Sequence, residues 1–337
     1  MDRILIWGAG AIGGTLGAWW KRAGLDVTFV DQVAAHVEAC RTTGVAIEGP
    51  VEEFTQIVPS ATPDELKGEF PIIVLAVKAQ ATRTAAEQLK PHLAADGYVL
   101  SAQNGLNELA IAEIVGPERT MGCFVNFGAD WLGPGRILYG NRGAVVIGEI
   151  DGSIRERTRA MHQALQIFEP DAVLTENIWG YLWGKLAYGA MLFATALTPD
   201  SMSANFADPA REKAFIALGR EVMAAAKARN ITPVGFKEFD PTAFMPDAPL
   251  AKARDVIASL ADYTSKSAKT HSGVWRDLAV RKRKTEVDEQ IGIIGKLGRE
   301  AGVDAPAIRK LVELIHDVED GRRPQSAETL KILVDAC

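Results

Sequence analysis

Cysteine is scarce in this chain of 337 residues. Its three cysteines, Cys40, Cys123 and Cys337, are widely spaced and form no Cys-x-x-Cys pair. This spacing excludes a disulfide framework and a paired-cysteine zinc motif. We therefore expect free thiols, a reducing cytoplasmic location and no bound metal.

The chain also lacks a long hydrophobic run and an excess of positive charge. The most apolar later stretch, Leu186–Leu197, is too short for a membrane span and begins beside a lysine. A strand-like segment starts at Ile4, so we expect no signal peptide. The formal net charge of −6 argues against nucleic acid as the main partner. With 47% hydrophobic and 24% charged residues, the composition is that of a soluble globular protein.

The first thirty-one residues contain the most informative motif. The apolar segment Ile4–Trp7 leads into glycines at positions 8, 10 and 13, and a second apolar strand ends at Asp31. This order of strand, glycine loop, helix, strand and acid is typical of a dinucleotide-binding unit, with the pyrophosphate at the helix N-terminus. The cofactor-binding residues predicted here are Gly8, Gly10, Ala11, Ile12, Gly13 and Asp31.

Two regions of different character follow one another along the chain. The first alternates strand-like and helix-like segments, and its later short strands suggest an antiparallel extension of the sheet. From Asn177 onward the pattern is almost entirely helical. The sequence therefore predicts an α/β protein: an N-terminal Rossmann-like doubly wound sheet over residues 1–175, then an all-α domain over 176–337. The tail Arg322–Cys337 is compatible with a homodimer interface or with packing inside the chain.

Polar residues at the ends of two further strands are candidates for the cofactor site. Lys78 follows the buried run Pro71–Val77, and Asn104 follows Gly97–Ser101. Ligands of doubly wound sheets bind at the carboxyl ends of the strands, which favours a role for both residues. The simpler alternatives are a solvated lysine at a strand end and an Asn-Gly turn.

Two charged residues of the helical half are candidates for catalysis. Lys185 lies in a helix that is apolar nearly all round. Its ammonium group either reaches the surface or stays partly buried for a role in catalysis. Glu286 lies at the predicted start of a helix, where an acid also simply complements the helix dipole. The basic run Arg281–Lys284 before it is more often a solvated surface than a nucleic-acid site.

Five short motifs in this order resemble the ketopantoate reductase family. Besides the glycine loop, they are Val77-Lys78-Ala79, Gln103-Asn104-Gly105, Leu182-Trp183-Gly184-Lys185-Leu186-Ala187 and Lys284-Thr285-Glu286-Val287-Asp288. The resemblance covers residues 3 to about 315. It implies hydride transfer between a nicotinamide cofactor and C2 of a 2-oxo acid or 2-hydroxy acid.

The resemblance also implies roles for particular residues. Lys185 would be the general acid that protonates the carbonyl oxygen, and Glu286 would orient the substrate. Asn104 would hold the nicotinamide side and contact both substrate and Lys185. Ser272 would face the substrate carboxylate, although Gly273 falls at that position if the spacing is one residue longer.

Two departures from the family pattern bear on specificity. Gly189 and Phe193 stand where the family has asparagines, so the substrate pocket is expected to be more apolar. We therefore predict a bulkier or more apolar substrate than ketopantoate. Asp31 stands where most of the family has a basic residue, and an acid there favours NAD over NADP.

Other functions remain open from the sequence. The chain could retain the family's own activity, the reduction of ketopantoate in pantothenate synthesis. A β-hydroxyacid or opine-type dehydrogenase shares the same domain plan. A dinucleotide sensor without catalysis would explain the lost asparagines, but it gives no reason to keep Lys185 and Glu286.

Overall fold

A computed structural model describes residues 3–236, 239–267 and 269–337 of the chain. The contacts divide it into two compact units, Met1–Ile178 and Trp179–Cys337. The first unit is a mixed α/β structure and the second is helical, so the predicted fold class is confirmed.

The elements of the first unit alternate in the order that its hydrophobic pattern predicts. Its strands are β1 (Ile4–Trp7), β2 (Val27–Val30), β3 (Val45–Glu48), β4 (Phe54–Gln56), β5 (Ser60–Ala61), β6 (Phe70–Leu75), β7 (Leu93–Ser101), β8 (Thr120–Val125), β9 (Gly128–Gly133), β10 (Arg136–Asn141), β11 (Val145–Glu149) and β12 (Val173–Leu174). Its helices are α1 (Ala11–Arg22), α2 (Ala34–Thr42), α3 (Thr82–Leu89), α4 (Asn107–Val115) and α5 (Glu156–Phe168). Short 3₁₀ turns lie at Ala79–Ala81, Lys90–His92 and Pro117–Arg119.

The main sheet has the strand order β12-β11-β8-β7-β6-β1-β2-β5 among the described residues. Strand β1 pairs in parallel with β2 on one side and with β6 on the other, so the strand order reverses beside β1. Ligands of doubly wound sheets bind at this reversal, outside the carboxyl ends of the strands. The glycine loop follows β1, and residues 76–78 follow β6, so both lie at that point.

A second sheet, in the order β4-β3-β10-β9, lies in the same unit. The predicted antiparallel extension is therefore divided between two sheets. Strand β11 continues the main sheet antiparallel to β8, whereas β10 pairs in parallel with β3 and antiparallel to β9. A pairing between β3 and β10, some ninety residues apart in sequence, has no local signal.

The central strand β1 is buried on both faces. Ile4 and Ile6 pack into one hydrophobic core, and Leu5 and Trp7 pack into another. A strand covered on both faces reads as a continuous apolar run, which is why β1 and β6 were recognisable in the sequence.

The second unit consists of helices joined by irregular segments. They are α6 (Ile178–Thr195), which starts at the boundary, α7 (Met202–Ala207), α8 (Glu212–Ala228), α9 (Leu250–Ser265), α10 (Gly273–Ala279), α11 (Ile293–Glu300), α12 (Pro306–Glu319) and α13 (Ala327–Ala336). A 3₁₀ turn lies at Pro241–Phe244 and a π turn at Asp288–Gly292. The tail packs inside the chain, because Leu330 and Leu333 of α13 are buried and Gln325 donates a hydrogen bond to Ala196 O at 2.8 Å.

Candidate active site

The glycine loop is closed by contacts that exclude side chains at two of its three glycines. Gly8 has a φ of +97°, and a Cβ there would lie 2.8 Å from Val77 N. A Cβ on Gly13 would lie 2.2 Å from Gly8 O, so α1 packs directly against the turn. At Gly10 a Cβ would meet nothing within 4 Å. The loop therefore leaves open space beside the start of α1, where a pyrophosphate fits the free N–H groups.

Asp31 is tied to the glycine loop at the end of β2. Its Oδ2 accepts a hydrogen bond from Ala9 N at 3.0 Å, and its Oδ1 accepts one from Val33 N at 2.9 Å. A carboxylate has about four acceptor positions, so two remain for ribose hydroxyls.

A buried polar network fixes the two loops that contain Lys78 and Asn104. Gln103 Nε2 donates to Val77 O at 2.9 Å and to Thr82 Oγ1 at 2.7 Å. The Thr82 hydroxyl donates to Asn107 Oδ1 at 2.9 Å, and Asn107 Nδ2 donates to Asn104 O at 2.7 Å.

Lys78 and Asn104 themselves are exposed at the carboxyl ends of β6 and β7. The predicted cofactor residues of the first unit therefore share one edge of the sheet. Sequence reasoning did not identify Thr82 or Asn107. The available signal was the position of Asn107, four residues after Gln103.

Lys185 belongs to a narrow partly exposed stripe on α6. From Tyr181 onward, the partly exposed residues of this helix are Tyr181, Lys185, Tyr188, Gly189 and Leu192, and the residues between them are buried. Their spacing of four, three, one and three residues places them on one face. The helix thus presents one cation among aromatic and apolar neighbours, and the two tyrosines and Leu192 were not identified from the sequence.

The two positions that depart from the family pattern differ in their surroundings. A Cβ on Gly189 would meet nothing within 4 Å, so open space adjoins the stripe one turn after Lys185. Phe193 is 1% exposed, and its ring is packed within the fold. Leu192, one position earlier, is the partly exposed neighbour.

The irregular segment after α8 packs against α6 beside Lys185. Val234 N donates to Gly180 O at 3.0 Å, and a Cβ on Gly184 would lie 2.4 Å from Val234 O. This close approach brings the Phe236 ring to 6.0 Å from the Tyr188 ring in an edge-to-face arrangement. Phe236 therefore adds a third aromatic side chain beside the two tyrosines of the stripe.

Glu286 is buried at the start of the segment that leads into α11. The preceding residue holds it in place, because Thr285 donates from both its N and its Oγ1 to Glu319 Oε1 at 2.7 Å. His316 contacts both Glu319 Oε2 and Asp288 Oδ1 at 3.0 Å. Burial lowers the pKa of His316, but the hydrogen bonds to the two carboxylates outweigh it, and the pKa is raised.

Ser272 acts as the N-cap of α10. Its hydroxyl accepts a hydrogen bond from Trp275 N at 3.1 Å, and the residue is buried. Gly273 follows directly, and a Cβ there would meet nothing within 4 Å. The basic run contains ion pairs: Arg281 and Arg283 lie 2.9 Å from Asp277, and Lys284 lies 2.5 Å from Asp320.

The described residues form neither a metal-ligand cluster nor a membrane-spanning helix. No group of three or more His, Cys, Asp or Glu side chains among them is placed to hold a metal ion. None of the described helices is long and apolar enough to cross a membrane.

The sheet order and the glycine loop define a Rossmann-like dinucleotide-binding protein with a helical second unit. The family model described as ketopantoate reductase PanE/ApbA matches residues 4–152, and the model of its C-terminal domain matches residues 177–319. The chain belongs to the ketopantoate reductase family, as its motifs predicted.

Individual relatives agree with this assignment. The 2-dehydropantoate 2-reductase of Archaeoglobus fulgidus is 28% identical over 326 residues, which cover 95% of this chain and 99% of that protein. A PanE/ApbA family ketopantoate reductase from Ralstonia eutropha is 25% identical, with a TM-score of 0.78 and coverage of 95% and 99%. The structure of a D-mandelate dehydrogenase with NADH and anilino(oxo)acetate is similar in fold, with a TM-score of 0.81, 22% identity and coverage of 95% and 98%. The family supports an oxidoreductase that uses a nicotinamide cofactor and acts on a CH–OH donor.

Proposed function

We propose that this protein transfers a hydride between NAD and C2 of a 2-oxo acid or 2-hydroxy acid whose side chain is bulkier or more apolar than that of ketopantoate. The stripe on α6 carries this proposal. Lys185 is its one cation, and Tyr181, Tyr188 and Leu192 share its face of the helix. Gly189 adds open space where the family has an amide. Such a surface suits a large apolar substituent better than a hydroxyl-bearing one.

The neighbouring aromatic pair supports the same substrate class. Tyr188 and Phe236 meet edge to face at 6.0 Å, and Phe239 lies 5.5 Å from Tyr188. Aromatic rings offer large apolar contact area at low entropic cost, so they favour a branched or aromatic substituent. A fold neighbour is named a D-mandelate dehydrogenase, which agrees with this choice.

Each residue of the proposed site has a separate role in the reaction. The bound reduced nicotinamide supplies the hydride. Lys185 donates a proton to the carbonyl oxygen and stabilises the charge that develops there. Glu286 orients the substrate at its hydroxyl or carbonyl. Asn104 and Lys78 hold the cofactor at the ends of β7 and β6. Ser272 or Gly273 faces the substrate carboxylate.

Activity measurements test the substrate and the proton donor together. We expect kcat/KM for aromatic and branched 2-oxo acids to exceed that for ketopantoate. We expect Lys185→Ala to abolish turnover and to leave NADH binding unchanged. Lys213→Ala, at an exposed lysine of α8, is the matched control and should retain full activity. A clear preference for ketopantoate would instead assign the family's own reaction, and cofactor binding without any turnover would indicate a sensor.

Asp31 supports NAD over NADP, because its carboxylate at the end of β2 repels a 2′-phosphate. Fluorescence titration should give a lower Kd for NADH than for NADPH. The change Asp31→Asn should narrow that difference by weakening NADH and relieving the repulsion of NADPH. Tighter binding of NADPH by the unaltered protein would contradict the cofactor choice.

A further inference from the structure

His36 of α2 is a buried imidazole that joins the glycine loop to the second sheet. It is 1% exposed, its Nε2 lies 2.7 Å from Ala9 O, and its Nδ1 accepts a hydrogen bond from Gly135 N at 2.9 Å. Gly135 is in the turn between β9 and β10, ninety-nine residues away in sequence. His36 lies outside the sequence motifs of the family, and the proposed reaction does not require it.

The two contacts determine the protonation state of the ring. A backbone N–H can only donate, so Nδ1 must be the unprotonated acceptor. A backbone carbonyl can only accept, so the single proton of the neutral imidazole lies on Nε2 and is donated to Ala9 O. The ring is therefore fixed in one tautomer by partners at both ends.

Ala9 is consequently held from both sides of its backbone. Its N–H donates a hydrogen bond to Asp31 Oδ2 at 3.0 Å, and its carbonyl oxygen accepts one from His36 Nε2. Ala9 is the residue between Gly8 and Gly10, and it is itself buried. The open space for the cofactor begins at the next residue, Gly10.

Among the residues that the structure describes, the other neighbours of the ring offer no strong hydrogen-bond donor that would compete with these two backbone groups. Cys40 Sγ lies 3.6 Å from Nε2, and burial raises the pKa of this thiol to about 12, so it stays uncharged. The ring of Trp131 packs edge-on at 6.2 Å between centroids. The imidazole is thus enclosed, and its strong partners are the two backbone groups.

We propose that His36 is a positioning residue for the cofactor: its Nε2–H holds the Ala9 carbonyl and so presets the glycine loop for the pyrophosphate. The proposal depends on the proposed function only in taking the glycine loop as the cofactor site. Holding a loop in its bound conformation lowers the entropic cost of binding, so loss of this bond acts on cofactor affinity and not on proton transfer.

Three substitutions of His36 distinguish the contributions of its two hydrogen bonds. His36→Gln places an amide N–H near the position of Nε2 and keeps the donor to Ala9 O. His36→Asn places an amide oxygen near the position of Nδ1 and keeps only the acceptor for Gly135 N. His36→Phe keeps a ring and removes both. Trp131→Phe is the matched control, since it alters the packing of His36 without touching either hydrogen bond.

We expect the Kd for NADH to rise about tenfold in His36→Asn and His36→Phe. In His36→Gln and Trp131→Phe the Kd should stay within about threefold of the unaltered protein. The kcat at saturating NADH should be unchanged in all four. Equal affinity in every variant would overturn the proposal, and so would a Gln variant that binds as weakly as the Phe variant. Failure of the unaltered protein to bind any nicotinamide would instead overturn the proposed function.

The tautomer gives a second test that needs no altered protein to fold. With ¹⁵N-labelled histidine, the His36 ring should show a protonated Nε2 and an unprotonated Nδ1 at neutral pH. A protonated Nδ1 at that pH would contradict the bridge between Ala9 and Gly135.

Discussion

Glu108 of α4 is a carboxyl group that the fold removes entirely from water. The residue is 0% exposed, and neither carboxyl oxygen has a hydrogen-bond partner of good geometry among the described residues. Burial raises its pKa to about 8, against smaller opposing effects of its own backbone and the Ser101 hydroxyl. The group is therefore protonated in the folded protein at neutral pH.

This carboxyl makes stability fall as the pH rises. Between about pH 4.5, the ordinary value, and pH 8 the folded state binds more protons at Glu108 than the unfolded state does. Stability is lost across that window, by roughly 3 kcal/mol at pH 7. We expect Glu108→Gln, which cannot ionise, to be more stable than the unaltered protein at pH 8 and to differ little from it at pH 5.

Urea denaturation at a series of pH values measures this effect. Glu113→Gln is the matched control, because Glu113 is an exposed residue of the same helix, paired with Arg83. The free energy of unfolding of Glu113→Gln should depend on pH in the same way as that of the unaltered protein. A Glu108→Gln protein with this same dependence would show that the carboxyl does not ionise within this window.

Gly189 tests the substrate preference at a single position. A Cβ there meets nothing within 4 Å, so Gly189→Asn fits the helix and restores the amide found in the family pattern. We expect the ratio of kcat/KM for ketopantoate to that for a bulky apolar 2-oxo acid to rise about tenfold. Gly189→Ala adds a side chain without an amide and should not raise the ratio. A ratio unchanged in both variants would remove Gly189 from the specificity determinants.

At the scale of elements, hydrogen bonds among α3, α4 and the ends of β6 and β7 fix the loops that contain Lys78 and Asn104. Thr82 is the centre of this network: it accepts from Gln103 and donates to Asn107. We expect Thr82→Val to destabilise the protein by about 1–3 kcal/mol, because it leaves two buried amides short of a partner. Cofactor affinity should fall as well, since the loops with Lys78 and Asn104 lose their common support.

Thr84→Val is the control for this change. Thr84 is exposed on the same helix, so the substitution alters the same residue type without touching the network. Thermal unfolding and NADH titration of both variants give the comparison. The role of the network is refuted by a Thr82→Val protein that matches Thr84→Val in both measurements.

The sequence predicted those elements whose signal is local. β1 and β6 are continuous apolar runs, and Lys185 was conspicuous as a lone charge in an apolar helix. The second sheet was not predictable, because β3 and β10 pair across some ninety residues. The short helices α7 and α10 contain too few residues to show a helical period.

The residues of the candidate site also differ in whether a local sequence pattern identifies them. Asp31 and the glycines follow from a motif, whereas His36 and Thr82 act through partners ninety-nine and twenty-five residues away. A buried polar residue gives no local indication of the partner that satisfies it. The burial of Phe193 was likewise not predictable from the sequence: the family pattern marks its position, and its side chain is 1% exposed.

At the scale of the whole molecule, the predicted cofactor residues lie in the first unit, and Lys185 and Glu286 lie in the second. Hydrogen exchange with and without NADH can therefore locate cofactor binding. Without acid substrate, we expect NADH to protect the peptides of the glycine loop and of β2 through α2, because a ligand stabilises the state that binds it. NADPH at the same concentration should protect them less, and Lys185→Ala should show the same protection as the unaltered protein. Protection absent from the glycine loop would remove the cofactor from this edge of the sheet.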